Sequence, residues 1–336
     1  MQPLVSVLLP VYNGAEFIES ALSSIMSQVN CEFEIIVVND GSVDSSGKRI
    51  SKFKDSRIRY FEQENRGLSV TLNRAIALAR GKYLARQDQD DISFPLRLQK
   101  QVEFLEANPD IGIVGTHAEI WDGDVSTNRL LQHPVNDASI KFSLLFDSYF
   151  VHSSVMFRRA VIEDVGGYSE DKARQPPEDY ELWSRVARKF KVANLPEVLM
   201  AYREVHGSMS RTGVNPFLPN LIRISAENIA WASGWEVDSP EVVALSRLSH
   251  GVYKGIPGGL KFSRMKSILH DAAVRIANES GATPQQLEVP LQARLKLLRY
   301  HYFEYRTGGL IRKMTSGRLG SYVKRVAKRM LSVSHS

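Results

Sequence analysis

The chain has 336 residues, of which 43% are hydrophobic and 24% charged, a composition that is ordinary for a globular protein and allows one main domain with an appendage. Its net charge of +6 is concentrated at one end, because residues 304–336 hold eight Lys or Arg and one Glu. The single cysteine, Cys31, excludes an internal disulfide, and neither a signal peptide nor a run of about eighteen apolar residues is present, so we expect a cytoplasmic protein without a membrane span.

Short apolar runs alternate with helical patterns along the first 120 residues. The runs predict five strands, at residues 5–9, 33–38, 58–61, 83–85 and 111–114. The helical patterns lie between them, at residues 15–26, 45–53, 68–79 and 96–107. This alternation with short connections predicts an α/β fold: a Rossmann-like, mostly parallel sheet flanked by helices.

The pattern changes in the second half of the chain. Residues 140–205 mix helical and strand-like pieces, and residues 212–216 (Thr-Gly-Val-Asn-Pro) interrupt the chain before a largely helical stretch. We therefore predict one domain over residues 1–213 and a mainly helical C-terminal region over residues 214–336.

Functional side chains follow four of the predicted strands. In parallel α/β sheets ligands bind beyond the carboxyl ends of the strands, so these residues predict a binding site at one edge of the sheet. An Asp there can accept a hydrogen bond from a nucleobase ring N–H, and a Tyr ring can stack on the base. Plainer interpretations remain open, because residues 39–42 also fit a tight turn and Tyr is common in cores. The residues, in strand order, are Tyr12, Asp40, Arg66 and the cluster Asp88, Asp90 and Asp91.

The carboxylate cluster predicts a metal site. Three carboxylates within four residues repel one another unless they are solvated or bound to a cation, and hard oxygen ligands suit Mg²⁺ or Mn²⁺. Neither a Gly-x-Gly-x-x-Gly motif nor a phosphate loop is present to neutralise a diphosphate in another way. Acidic residues also favour the start of a helix, a role that we assign to Asp91 together with Ser93. Asp88 and Asp90 are then the predicted ligands.

Six stretches resemble the family 2 glycosyltransferases with the GT-A fold, in that family's order and over about residues 3–210. Any one of them is weak, but six in order are highly specific. The resemblance implies a GT-A fold with a helical C-terminal extension, and an inverting enzyme that uses a nucleotide-diphosphate sugar. The stretches are VSVLLPVYN (5–13), IIVVNDGS (35–42), NRGL (65–68), ARQDQDD (85–91), HSSVMF (152–157) and PEDYELW (177–183).

The resemblance also implies roles for single residues. A lone His is more often structural than catalytic, and residues 178 and 179 equally fit the start of a helix after two prolines. Gln87 and Gln89 stand where relatives often carry Met and Ala, and we expect little consequence from them. The implied roles are nucleotide contact for Pro10, Tyr12, Asp40, Arg66 and Asp88, metal ligation for Asp90, Asp88 and His206, the catalytic base for Asp179, and the acceptor side for His152, Glu178 and Trp183.

The implied chemistry is the transfer of a single sugar. The Asp179 carboxylate would remove a proton from an acceptor hydroxyl, while Mn²⁺ or Mg²⁺ offsets the charge of the leaving nucleoside diphosphate. The Gln-x-x-Arg-Trp motif of processive synthases is absent. We expect a UDP-sugar as donor, and a glycan or lipid-linked acceptor in cell-surface polysaccharide or glycoconjugate synthesis.

The C-terminal stretch 319–331 interleaves apolar and basic residues at helical spacing. A basic amphipathic helix suits an anionic membrane surface, so residues 310–331 predict peripheral contact with the inner face of the cell membrane. The same pattern also suits a helix that packs on its own domain. No aromatic-rich motif accompanies the charge, so we expect no nucleic-acid partner.

Two other functions fit part of the pattern. A sugar-nucleotide-binding partner subunit that has lost catalysis would keep the nucleotide contacts but has no need of Asp179. A nucleotidyltransferase shares the fold class but usually carries a Gly-rich, basic loop after its first strand, where this chain has residues 10–13 (Pro-Val-Tyr-Asn). The joint presence of Asp88, Asp90 and Asp179 favours the glycosyltransferase.

Overall fold

The strands are known from a computed structural model that describes residues 2–205 and 217–308. The five predicted strands all begin at the predicted residue, but each one runs further, because polar residues such as Asn39 and Asp40 continue the strand pairing. Four further strands are present: one of two residues where a helix start was expected, one at residues 125–131, where no element was predicted, and two in the mixed region 140–205. The strands are β1 (Val5–Val11), β2 (Phe33–Asp40), β3 (Ile58–Gln63), β4 (Tyr83–Arg86), β5 (Ile92–Ser93), β6 (Ile111–Asp122), β7 (Val125–Leu131), β8 (Met156–Arg158) and β9 (Lys191–Glu204).

The helices between the first strands confirm the predicted alternation. The chain after residue 217 is helical as far as it is described, as predicted. Among residues 2–205 and 217–308, no helix combines the length and the apolar character that crossing a bilayer requires. The helices are α1 (Ile18–Met26), α2 (Ser46–Ile50), α3 (Leu68–Leu78), α4 (Arg97–Ala107), α5 (Asp137–Ser143), α6 (Arg159–Val165), α7 (Glu178–Ala187), α8 (Leu218–Ser233), α9 (Pro240–Ser249), α10 (Phe262–Ser280) and α11 (Glu288–Arg306).

Within the described residues the strands form one nine-stranded sheet, in the order β3-β2-β1-β4-β8-β6-β9-β5 with β7 beside β6. β1 to β4 pair in parallel. Every residue of β1 and β2 is buried, as expected for central strands covered on both faces, whereas β3 at the edge is only partly buried. The α/β class with flanking helices is thus confirmed.

The sheet is mixed rather than mostly parallel. The short strand β8 lies antiparallel between β4 and β6, so the fifth predicted strand does not join the parallel block directly. β6 instead pairs in parallel with β9. A three-residue strand is too short to show a period, which is why the sequence pattern did not predict this insertion.

The register of the parallel strands brings their carboxyl ends together. Val11 at the end of β1 lies beside Asn39 of β2. Asp40 at the end of β2 lies beside Gln63 of β3, and Arg86 at the end of β4 lies beside Leu8. The four polar strand ends therefore meet at one edge, as predicted.

The described chain forms two compact units. The first contains the whole sheet and comprises Met1–Lys141 and Ser148–Asn220 within the described range. The second comprises Phe142–Asp147 and the helical chain from Leu221 onward. Its core is made of apolar side chains at helical spacing, such as Met265, Ile268 and Ile276 of α10. The boundary that we predict at residue 213 lies outside the described residues and stays a prediction.

Gly81, which precedes β4, packs directly against the start of β1. A Cβ atom there would lie 2.5 Å from the Ser6 nitrogen and 2.7 Å from the Val5 carbonyl carbon, and neither backbone atom can move without disturbing the pairing of β1. Gly81→Ala should therefore lower the free energy of unfolding by about 1–3 kcal/mol. Urea denaturation measures this change. Gly258→Ala is the matched control, because a Cβ at Gly258 meets open space; a shift for Gly81→Ala no larger than for this control would contradict the packing argument.

Candidate active site

The loop after β1 is held by side chains from neighbouring strand ends. Four consecutive backbone N–H groups, those of residues 12–15, each donate to a side-chain oxygen. In a phosphate loop such groups remain free to bind the phosphate, whereas here they are occupied by the protein itself. The loop therefore acts as a platform rather than as an anion cradle. The acceptors are Gln89 Oε1 (2.9 Å), Ser42 Oγ (3.0 Å), Ser46 Oγ (2.9 Å) and Asp44 Oδ2 (2.9 Å).

Tyr12 and Pro10 differ in accessibility. The Tyr12 side chain is 48% exposed, so its ring face is open for stacking on a planar ligand. Pro10 lies inside β1 opposite Val38 and is buried. The expectation that Pro10 contacts a nucleotide is therefore not supported by its position, because its side chain faces the packed interior and not an open surface.

Asp40 organises the start of α3. Its Oδ1 accepts hydrogen bonds from Gln63 Nε2 (2.7 Å) and the Arg66 backbone N–H (2.9 Å), and its Oδ2 accepts one from the Gly67 N–H (2.9 Å). Residues 39–42 form the turn that was one interpretation of the sequence, with the Ser42 N–H donating to Asn39 Oδ1 (3.1 Å). The Arg66 side chain is exposed, and its guanidinium has no partner among the described residues.

The three carboxylates after β4 have different surroundings. Asp88 is 30% exposed on its side chain and Asp90 is partly exposed, whereas Asp91 is buried. Burial, with the charge of Asp88, raises the pKa of Asp90 to about 6. Burial, with Asp88 and Asp90, raises the pKa of Asp91 well above its usual range.

The assignment of Asp91 and Ser93 to a helix start is wrong. Asp91 accepts hydrogen bonds from the Ser153 hydroxyl and from the Arg203 backbone N–H (2.8 Å), so it joins the β4 end to two distant segments. Ser93 belongs to β5 and donates to Gln87. Helix α4 begins only at Arg97, and the N–H of Leu98 in its first turn donates to Gln28 Oε1 at 2.9 Å rather than to Asp91 or Ser93.

Three buried arginines lie among these carboxylates. Arg86 is fully buried and its Nη2 donates to Asp88 Oδ1 at 2.5 Å. Arg97 is also fully buried and donates to the carbonyl oxygens of Arg86 and Ser153, both at 2.8 Å. Arg203 is 3% exposed and donates to the carbonyl oxygen of Asp90. The protein itself thus partly offsets the charge of the carboxylates. The prediction of a cation from the sequence did not include these buried arginines.

Asp88 and Asp90 still fit a divalent cation. Both carboxylates reach the surface, only one oxygen of Asp88 is engaged by Arg86, and burial first and the charge of Asp88 second raise the pKa of Asp90. In residues 2–205 and 217–308, no group of three or more His, Cys, Asp or Glu side chains is arranged to hold a metal. Two carboxylates suffice for Mg²⁺ or Mn²⁺ when water and substrate phosphates supply the remaining ligands. His206, the third predicted ligand, lies outside the described residues.

Gln87 and Gln89 both make hydrogen bonds to neighbouring groups of the site. Gln87 is fully buried; its amide nitrogen donates to the Asp91 carbonyl oxygen (2.8 Å), and its amide oxygen accepts from Ser93 (2.5 Å) and Arg97 (3.1 Å). Gln89 binds the backbone of Tyr12. The expectation of little consequence is therefore wrong, because both amides satisfy backbone groups that a Met or Ala would leave unpaired.

Glu178 and Asp179 occupy the first turn of α7, where negative charge is favourable. Asp179 is partly exposed, and its Oδ2 accepts a hydrogen bond from the Ser148 hydroxyl at 3.2 Å. Glu178 is buried, and burial together with Asp179 raises its pKa to about 7. Arg86 lowers and Asp88 raises that value, so α7 and the β4 end interact electrostatically.

His152 and Trp183 belong to one aromatic cluster. Trp183 is fully buried, with ring centroids of His152 and Tyr168 at 6.0 and 6.1 Å. It therefore does not line an acceptor surface in this structure, and the expectation for it needs correction. His152 is partly exposed, contacts the Tyr168 hydroxyl at 3.2 Å, and is held neutral because burial and then Arg86 lower its pKa to about 3. This fits a role beside the site rather than proton transfer at neutral pH.

Comparison with known proteins identifies sequences similar to this chain. The sequence model described as Glycosyl transferase family 2 matches residues 6–166, which include the strand ends, Asp88, Asp90 and His152. An uncharacterized glycosyltransferase of Haemophilus influenzae is 34% identical over 230 residues, which cover 63% of this chain and 69% of the relative. The O-antigen biosynthesis glycosyltransferase WbnJ of Escherichia coli is 31% identical, over 60% of this chain and 79% of WbnJ.

The fold is shared with a solved structure. The crystal structure of S. aureus TarS 1-349 in complex with UDP-GlcNAc matches with a TM-score of 0.59, over 90% of this chain and 92% of that chain. The two sequences are 18% identical, so the likeness concerns the fold. It confirms the predicted GT-A architecture with C-terminal helices.

The raised pKa of Glu178 makes stability depend on pH. A folded-state pKa of about 7, above the ordinary 4.5, means that the stabilisation is complete below about pH 4.5 and is lost as the pH rises through 7. From pH 5 to pH 8 the wild type should therefore lose about 1–3 kcal/mol relative to Glu178→Gln, which does not ionise. Urea denaturation across that pH range measures the difference. Glu163→Gln, at an exposed carboxylate, should parallel the wild type; a flat difference between wild type and Glu178→Gln would contradict the assignment.

Proposed function

The chain belongs to glycosyl transferase family 2 and is a glycosyltransferase, and from this premise we propose that it transfers a single sugar, with inversion, from a nucleotide-diphosphate sugar to a hydroxyl group. The observation that carries the proposal is the meeting of three kinds of group at one sheet edge. Tyr12 and Asp40 suit a nucleobase, Asp88 and Asp90 suit a cation with a diphosphate, and Asp179 suits a base. The alternative function, a partner subunit that binds a sugar nucleotide but has lost catalysis, does not explain the presence of Asp179 and Glu178 at this edge.

The nucleotide side is proposed from the chemistry of two residues. Tyr12 is exposed, so its ring can stack on a base. Asp40 is only 4% exposed and already accepts three hydrogen bonds, but a carboxylate has about four lone-pair sites, so we propose that one remains for a ring N–H. Uracil, thymine and guanine carry such an N–H, whereas adenine and cytosine do not. We propose a UDP-sugar as the first donor to test. The exposed guanidinium of Arg66 lies on the loop after β3, whose backbone is hydrogen-bonded to Asp40, and suits the phosphates.

The reaction that this geometry suits is a single displacement. The Asp179 carboxylate takes the proton of the acceptor hydroxyl, whose oxygen forms a bond to the anomeric carbon as the bond from that carbon to the diphosphate oxygen breaks. Attack from the opposite face inverts the configuration, and the nucleoside diphosphate leaves with the bonding electrons. Mn²⁺ or Mg²⁺ held by Asp90 and Asp88 would supply Lewis-acid stabilisation of that leaving group. Ser148 orients Asp179, and the buried Arg86 offsets the charge of Asp88.

The acceptor is proposed by class. The Escherichia coli relative is named for O-antigen biosynthesis, and we propose by analogy a glycan or lipid-linked acceptor in cell-surface polysaccharide or glycoconjugate synthesis. We propose that His152 and the buried Glu178 lie on the acceptor side of the site. We propose that the reaction takes place in the cytoplasm at the inner face of the membrane.

A donor panel tests the proposed reaction. The purified chain is incubated with UDP-, GDP- and dTDP-sugars and an acceptor extract, with Mn²⁺, with Mg²⁺ or with EDTA, and released nucleoside diphosphate is measured. Release with one donor class and a divalent cation is expected. Asp179→Asn should lower kcat by about 10²–10⁴-fold, because an amide cannot take the proton. Asp90→Ala should raise the concentration of metal needed for half-maximal rate.

The matched control is Asp164→Asn, which changes an exposed carboxylate that pairs with Lys189. It should retain full activity, and the thermal midpoints of all variants should be compared so that unfolding is recognised. Full activity in Asp179→Asn would refute the assigned base. Unchanged turnover after chelation would refute the metal role, and absence of release from every donor would refute the proposed reaction.

Membrane contact through residues 310–331 is proposed from the sequence alone, because these residues lie outside the described part. The proposal is that their basic, amphipathic pattern binds anionic lipid, where a lipid-linked acceptor would be located. In liposome flotation, the full chain should float with anionic vesicles and stay at the bottom with neutral ones. A chain without residues 310–336 should stay at the bottom with both. Equal flotation of the two chains would overturn the proposal.

A further inference from the structure

The side chain of Gln89 fills the gap between the loop after β1 and the loop after β4. Its Oε1 accepts the Tyr12 N–H at 2.9 Å, and its Nε2 donates to the Tyr12 carbonyl oxygen at 3.0 Å. The two bonds fix the peptide groups on both sides of the Tyr12 Cα. Since these peptide planes set the direction of the Cα–Cβ bond, Gln89 fixes the point and direction from which the exposed Tyr12 side chain leaves the backbone. We refer to the two bonds as the Gln89–Tyr12 pair.

Gly14 leaves the space that this amide occupies. A Cβ on Gly14 would lie 2.3 Å from Gln89 Oε1 and 2.5 Å from Gln89 Cδ. The φ of Gly14 lies outside the left-handed region, so its backbone accepts any residue and only the contact with Gln89 requires glycine. Gly14 and Gln89 are therefore complementary in shape, 75 positions apart in the chain.

The position of Gln89 links two parts of the proposed site. In the chain it lies between Asp88 and Asp90, the carboxylates assigned to the cation and diphosphate, while its amide holds Tyr12, the residue assigned to the base. A shorter or apolar side chain at 89 would leave the Tyr12 carbonyl and N–H to water. Gln89 thus joins the base platform directly to the loop that carries the carboxylates.

We propose that Gln89 is a positioning residue for the donor nucleotide, which holds Tyr12 at a fixed place relative to Asp88 and Asp90 before the donor binds. The inference rests on the proposed function, since it takes the assigned roles of these three residues. A preorganised platform avoids the cost of ordering the loop on binding, so loss of the Gln89–Tyr12 pair weakens donor affinity. Turnover of the bound donor depends on Asp179 and changes little.

Gln89→Met tests this division, because Met has similar volume but makes neither bond. Two lost hydrogen bonds should raise the Kd for the nucleoside diphosphate, measured by calorimetry, and the donor KM by about tenfold. We expect kcat to stay within about twofold, since no group that touches the reacting atoms has changed. Gln292→Met on α11, which removes an exposed i, i+4 hydrogen bond to Glu288, is the control and should leave all three quantities unchanged.

A double-mutant cycle with Gly14 separates positioning from general damage. Gly14→Ala alone should displace the Gln89 amide and raise the Kd about as much as Gln89→Met. In a Gln89→Ala background the space is free, so adding Gly14→Ala should change the Kd by less than about twofold. A merely destabilising effect of Ala at 14 would instead persist in both backgrounds, and additive effects would overturn the inference.

The outcomes distinguish the inference from the proposed function. If the wild type binds a nucleotide tightly and Gln89→Met binds it equally well, the positioning role is wrong and the glycosyltransfer reaction stands. If Gln89→Met lowers kcat while its KM is unchanged, Gln89 acts on the chemical step and the inference is again wrong. A wild type that binds none of the nucleoside diphosphates would overturn both.

Discussion

The burial of carboxylates at the end of β4 is the constraint on which the rest of the site depends. A buried carboxylate is costly unless it is paired and hydrogen-bonded. The buried Asp91 meets this requirement by accepting hydrogen bonds from Ser153 and the Arg203 backbone N–H. Arg86 pairs with the partly exposed Asp88 at 2.5 Å, and the Arg97 and Arg203 guanidinium groups donate to adjacent backbone oxygens. Because these guanidinium groups come from β4, α4 and β9, the shape of the β4 end depends on segments that are distant in the chain.

This charge balance changes the argument for a cation. The sequence places three carboxylates within four residues, which predicts a bound cation. In the folded chain, however, buried arginines supply part of the positive charge that offsets these carboxylates. Those arginines are committed to protein oxygens, however, and a nucleoside diphosphate brings further negative charge to the same edge. Arg66 also belongs to this edge. Its guanidinium is exposed and has no partner among the described residues. In the proposed reaction, the need for a divalent cation would therefore arise from the substrate more than from Asp91, which is engaged by Ser153 and Arg203.

The sequence predicted those strands and helices whose apolar residues recur at a regular spacing. The first strands and helices have clear periods, and parallel pairing then places Tyr12, Asp40 and Asp88 at one edge. It did not predict β8, which is too short for a period, or the contact of Asp91 with Arg203, which is 112 positions away. The role of Gln89 was missed for the same reason: its partner is the backbone of Tyr12, and a backbone partner leaves no mark in the sequence. Trp183 was misassigned because a motif position does not reveal that the indole ring packs inward.

The same electrostatics explains how two adjacent acids can begin α7 beside other carboxylates. The helix start favours negative charge, but Asp179 and Asp88 both oppose ionisation of the buried Glu178, and its pKa of about 7 lies at neutrality. Part of the Glu178 population thus keeps its proton at pH 7, which lessens repulsion against the partly exposed Asp179. Arg86 acts in the other direction and limits the rise. A single buried guanidinium therefore affects both the carboxylates assigned to the donor and the acid beside the assigned base, which makes the two halves of the site one electrostatic unit.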